Sequence, residues 1–203
     1  MKKTLIFVAG ITLLASASLS ATPYYGYAPA PMPMQQQVQV DPGTLLREGM
    51  TKLLKFMRQP EKPSQQSIAL FLEKEIVPYF DFGYMAGWAA GPMGRQMNAR
   101  QKAELAQNIK ELLLGTLTEK LTNYQNQDVR FFPPRRVGEN EVKVRVGILQ
   151  ASGYPASIDF RFYQSNEGWK IFDVTANGNS ALAYYRQYFN RQMASRQMPR
   201  GYQ

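Results

Sequence analysis

The spacing of apolar residues changes period near Tyr124, and that change decides the fold class. Before it, apolar residues recur every three to four positions. Leu45, Leu46, Met50, Leu53, Leu54 and Met57 share one helical face, as do Ile68, Leu70, Phe71, Leu72, Ile76 and Val77. Leu105, Ile109, Leu112, Leu113, Leu117 and Leu121 mark the buried face of a longer helix. Lys102, Lys110, Glu111, Glu119 and Lys120 fall on its solvated sides. After Tyr124 the period is two. Val142, Val144, Val146 and Ile148 alternate with Lys143, Arg145 and Gly147, and Ile158, Phe160 and Phe162 alternate with Asp159, Arg161 and Tyr163. Val129–Phe132 and Trp169–Val174 complete a set of about four strands. A final helix is predicted from about Ser180 to Gln192. Helices, then consecutive strands, then a helix: that order predicts an α+β fold, with helices on one face of an antiparallel sheet.

Local punctuation sets the boundaries. Asp41 followed by Pro42 starts the first helix, because Asp caps free N–H groups and Pro suits the first helical position. Pro60 and Pro63 end it, Ser64 caps the second, and Pro78 ends or kinks that one. The aromatic, glycine-rich run Phe80–Trp88 fits either a short helix or a loop lining a cavity. Gly91-Pro92-Met93-Gly94 reads as a turn. Asn98 caps the long helix, with Gln101 three residues on as its capping-box partner. Pro133-Pro134 end the first strand, Gly153-Tyr154-Pro155 lie in the next connection, and Asn166-Glu167-Gly168 is a hairpin signal.

The N-terminus predicts export. Lys2 and Lys3 precede an uncharged apolar stretch, Leu5–Leu14, and small residues follow from Ala15 to Ala21. This is the layout of a secretory signal peptide over 1–21, cut between Ala17 and Ala21, and its apolar part is too short for a comfortable bilayer span. The expected location is the periplasm. Residues 22–40, rich in Pro, Tyr and Gln, read as a flexible leader. A single domain is expected over 41–192, with a short tail over 193–203.

Composition narrows the chemistry. Cysteine and histidine are both absent. No disulfide, thiolate nucleophile or Ser-His pair is available, nearly all zinc sites are excluded, and no metal or catalytic residue is assigned. Asp81 and Asp173 are the acids considered as bases, and a cap or ion-pair role is preferred for each. The net charge is +9. Export argues against nucleic acid as the partner, leaving anionic headgroups, an acidic protein or plain solubility. Lys143, Arg145 and Arg161 fall opposite the apolar sheet face. No phosphate loop, metal cluster or dinucleotide motif is present.

The strand-to-helix end carries a more specific signal. Gly168-Trp169-Lys170-Ile171-Phe172-Asp173-Val174 leads to Gly178-Asn179-Ser180 and then to Tyr185-Arg186-Gln187-Tyr188-Phe189. This run resembles the closing signature of the MlaC, or toluene-tolerance, family. Phe80-Asp81-Phe82 with Met85-Ala86, and the helix start at Gln101, resemble the family's central segment. The resemblance covers about 41–192. It implies an NTF2-like fold, with N-terminal helices and one long helix on a curved sheet. It implies an apolar pocket for phospholipid acyl chains, the lipid being cargo rather than cofactor. It implies no catalysis, and a shuttle between an outer-membrane lipoprotein–porin complex and an inner-membrane ABC transporter complex of the Mla type that maintains lipid asymmetry. Gly94 stands where the family has Trp. The chain stops soon after Phe189 where many members continue, so one pocket wall or partner contact is expected to differ.

Periodicity alone leaves open whether the apolar face closes as a solid core or surrounds a cavity. With the family's pocket in view, the expected lipid-lining residues are Phe82, Met85, Leu113, Leu117, Val146, Ile148, Ile158, Phe160, Val174, Leu182 and Tyr185. The rival expectations are an NTF2-like periplasmic enzyme using Asp81 or Asp173, and a periplasmic adaptor with a solid interior.

Overall fold

The structure is a computed structural model, and it describes residues 40–149 and 155–197, with side chains to residue 192. The expected signal peptide, all of the leader but Val40, the residues Gly153 and Tyr154, and the end of the tail lie outside the described residues.

Helix α1 spans Pro42–Met57, and the Asp41 carboxylate accepts from the N–H groups of Gly43 and Thr44. Helix α2, Gln65–Phe71, starts at Ser64, whose hydroxyl accepts from Ser67 N–H. It passes into a π-helical turn, Leu72–Ile76, and a 3₁₀ turn, Val77–Tyr79, that accommodates Pro78. The run after Phe80 is a helix: α3, Phe82–Ala90, capped by Asp81. The expected turn at Gly91–Gly94 is a 3₁₀ turn, Gly91–Arg95. Helix α4, Ala99–Thr122, carries the capping box complete: Gln101 N–H donates to Asn98 Oδ1 and Asn98 N–H donates to Gln101 Oε1, both at 2.9 Å.

The sheet has six strands rather than about four. The four expected ones are β1 (Val129–Phe131), β3 (Glu141–Ile148), β4 (Ala156–Ser165) and β5 (Gly168–Ala176). Two two-residue strands, β2 (Arg135–Arg136) and β6 (Asn179–Ser180), add to them. The order is β1-β3-β4-β5-β6, with β2 also on β3, and every pairing is antiparallel. A register shift between Arg161 and Phe162 marks a bulge, the device that bends a strand. Phe80 bridges Ile171 in parallel, which ties the start of α3 to the sheet. The last helix, α5, begins at Ala181 rather than Ser180 and continues past Gln192 to Gln197.

Two expectations about the helical faces fail. Leu70 is 64% exposed and Leu112 is 36% exposed, although both fit the apolar spacing. Leu70 is two residues from both Ile68 and Leu72, which at 3.6 residues per turn places it on the far side of the helix from them, and Leu112 lies at the margin of the α4 stripe.

Candidate functional site

The apolar sheet face is fixed by register. Val142, Val144 and Val146 stand opposite Phe162, Phe160 and Ile158 across the β3–β4 pair, so all six point the same way. Phe160 in turn faces Val174 on β5. Leu105, Ile109 and Leu113 of α4, Met85, Ala86 and Ala89 of α3, and Leu182 and Tyr185 of α5 join this face in one buried apolar cluster. A second, smaller cluster, Met57, Ile68 and Leu72, lies under α1 and α2, and Leu117 and Ile76 touch both.

Nine of the eleven expected lining residues meet in the larger cluster. Met85, Leu113, Val146, Leu182 and Tyr185 are buried within it, and Phe82, Leu117, Phe160 and Val174 pack against it half-buried. Ile148 and Ile158 are half-buried near the same end of the β3–β4 pair but are not among the cluster's members. Burial pushes the Tyr185 phenol up to about 12, so it is a neutral side chain at any ordinary pH.

A cavity of about 580 Å³ opens elsewhere, between the start of α3 and the tip of the β4–β5 hairpin. Phe80, Asp81 and Phe82 form one wall; Tyr163 to Glu167, with Lys170, form the other. Of the expected lining residues, Phe82 alone borders it. The Phe80 and Phe82 rings lie 5.7 Å apart, and the Tyr163 ring stacks on Tyr84 at 4.0 Å. The hairpin tip was legible as a turn, but its meeting with Phe80–Phe82 bridges residues more than eighty positions apart, which no local pattern encodes.

Both acids are occupied as caps. Asp81 accepts from Tyr84 N–H at 2.8 Å and from the Tyr163 hydroxyl. Burial, then the Asp81 carboxylate, push the Tyr163 phenol well above its ordinary value, so it remains a neutral donor to that carboxylate. Asp173 is buried and accepts from Ser180 Oγ at 2.8 and 2.9 Å and from Leu182 N–H at 3.1 Å, closing the β6–α5 junction. Arg161 stands 3.9 Å from it. Among the described residues no group of three or more acids is placed to hold a metal ion.

The opposite sheet face is laced with ion pairs. Arg145 forks onto Asp159 at 2.6 and 2.9 Å, Lys143 reaches the same carboxylate at 3.3 Å, and Arg161 pairs with Glu141 at 2.8 Å. The Arg145 guanidinium holds the Asp159 carboxyl below its ordinary value.

Known proteins match this architecture. The sequence profile of a family described as MlaC protein matches residues 47–200. A solved structure of a phospholipid-binding protein from Ralstonia solanacearum, in complex with a phospholipid, superposes with a TM-score of 0.68. It is 25% identical, and the match covers 77% of this chain and 89% of that one. No curated protein matches in sequence. A profile that spans most of the folded residues and a shared architecture place the chain in the MlaC family.

Proposed function

We propose that this protein is a periplasmic phospholipid carrier that holds acyl chains among the apolar side chains between α4 and the sheet. It shuttles lipid between an outer-membrane lipoprotein–porin complex and an inner-membrane ABC transporter complex of the Mla type, and so maintains outer-membrane lipid asymmetry. The carrying observation is the family match over 47–200, joined to a structural relative that carries a phospholipid. The gathering of nine expected lining residues into one apolar cluster agrees with it. So does the use of Asp81 and Asp173 at the starts of α3 and α5, a structural role for both acids.

Energetics favour a chaperoned exchange. A two-chain lipid has roughly thirty CH₂ groups, each worth about 0.8 kcal/mol on leaving water, so release into water is prohibitive. Bilayer and protein interior are both apolar, and these terms nearly cancel between them. Transfer then requires a docked membrane partner, and that partner's energy sets its direction.

Purification without detergent, followed by organic-solvent extraction and mass spectrometry, tests the reading. Phospholipid near one equivalent per chain is expected. Protein that is folded, prepared from cells with their own membranes and free of lipid would overturn it.

A further inference from the structure

The sheet edge formed by β1 and β2 carries cations that no acidic side chain of the described residues neutralises. Arg135 faces Lys143 across the β2–β3 pair, and Lys143 faces Arg161 across β3–β4. Three like charges therefore stand in one row, an arrangement that destabilises a sheet unless each charge has a partner. Lys143 has Asp159, and Arg161 has Glu141 and Asp173. Among the described residues Arg135, at the outer end of the row, has none, and neither Arg130 nor Arg136 takes part in an ion pair. All Asp and Glu of the chain lie among the described residues.

Apolar groups stand among these cations. The Phe132 ring lies over the backbone of Gly147, where a Cβ would meet it at 3.3 Å, and Arg130 sits 5.4 Å from the ring centre. Phe132 is 39% exposed and Val137 is 49% exposed. Pro133 and Pro134 separate β1 from β2 and offer no N–H, so an added strand has no continuous ladder to join.

We propose that this edge docks the protein onto an anionic phospholipid surface. Arg130 and Arg135, paired with Gly147 and Lys143 on the polar sheet face, meet lipid phosphates, and Phe132 seats in the headgroup layer, the depth at which aromatic side chains and arginines collect. The proposal rests on the carrier reading for its purpose, since a carrier that meets membrane-bound partners gains from being held at the bilayer.

The test is co-sedimentation of the whole protein with vesicles. Vesicles of phosphatidylethanolamine and phosphatidylglycerol are compared with vesicles of phosphatidylcholine alone, at low and high salt. Binding to the anionic vesicles, weakened by salt, is expected. Each arginine removed in R130Q, R135Q and the double variant lowers the partition coefficient about fivefold. A control, K55Q/K62Q, removes two charges from the helical side and changes binding far less. The melting temperature of R135Q does not fall, because the substitution relieves a like-charge row. Equal binding by the double variant and the wild type overturns the proposal. So does retention on an acidic polypeptide with no binding to anionic vesicles, which would assign the edge to a protein partner. Co-purified lipid with no vesicle binding refutes the docking surface and leaves the carrier standing.

Discussion

Tyr185 shows how one residue couples the interior to pH. It is 4% exposed, and its phenol is raised to about 12, first by burial and then by Tyr184 and Asp173. A group with a raised folded-state value contributes stability that is fully present below its unfolded value, near 10, and that is lost as pH rises through the folded value. The protein should therefore lose stability between about pH 10 and 12. Tyr185→Phe removes the titrating hydroxyl and should flatten part of that decline, measured as urea midpoints across the window. Tyr163, raised by its own burial and by Asp81, supplies the remainder. An unchanged slope in the variant would show that the Tyr185 phenol is solvated. A charge introduced in this interior would probe stability before cargo: Val146 is fully buried, so Val146→Glu places a carboxylate where nothing solvates it.

Elements divide sharply into those the residue pattern specifies and those it does not. Caps were legible because their chemistry is local: Asp41, Ser64 and Asn98 each accept from N–H groups two or three residues on. Asn98→Ala should cost about 1 kcal/mol, read as a lower urea midpoint with unchanged slope. A variant matching the wild type would mean that the α4 terminus is held by packing alone. The alternating strands were legible because β3 and β4 keep strict register along the apolar face. The strands β2 and β6 were missed because two residues show no period; they exist only as partners of β3 and β5. The Phe80–Trp88 run stayed ambiguous because its glycines and aromatics fit a loop equally well, and the Asp81 cap with the Phe80–Ile171 bridge settles it as a helix. The expected lining residues were legible as apolar and mostly converge. What spacing could not state is how tightly they close, because a filled core and a ligand-bearing one share the same pattern.

At the scale of the whole molecule, the carrier reading makes cargo a term in stability. A ligand that binds the folded state alone stabilises it by about 4 kcal/mol at a thousand times its dissociation constant. A domain of this size gains roughly 2–4 °C in melting temperature per kcal/mol. Protein stripped of lipid by solvent extraction under denaturant and then refolded should accordingly melt on the order of 10 °C below the protein as purified. Adding back phospholipid from vesicles should restore the difference. The restored shift should depend only weakly on chain length, because each CH₂ passes from one apolar environment, the bilayer, into another. Identical melting curves before and after stripping would mean that the cluster between α4 and the sheet is a closed core. A solid interior would then leave the cavity beside Phe80–Phe82 and the cationic sheet edge as the surfaces through which this MlaC-family protein acts.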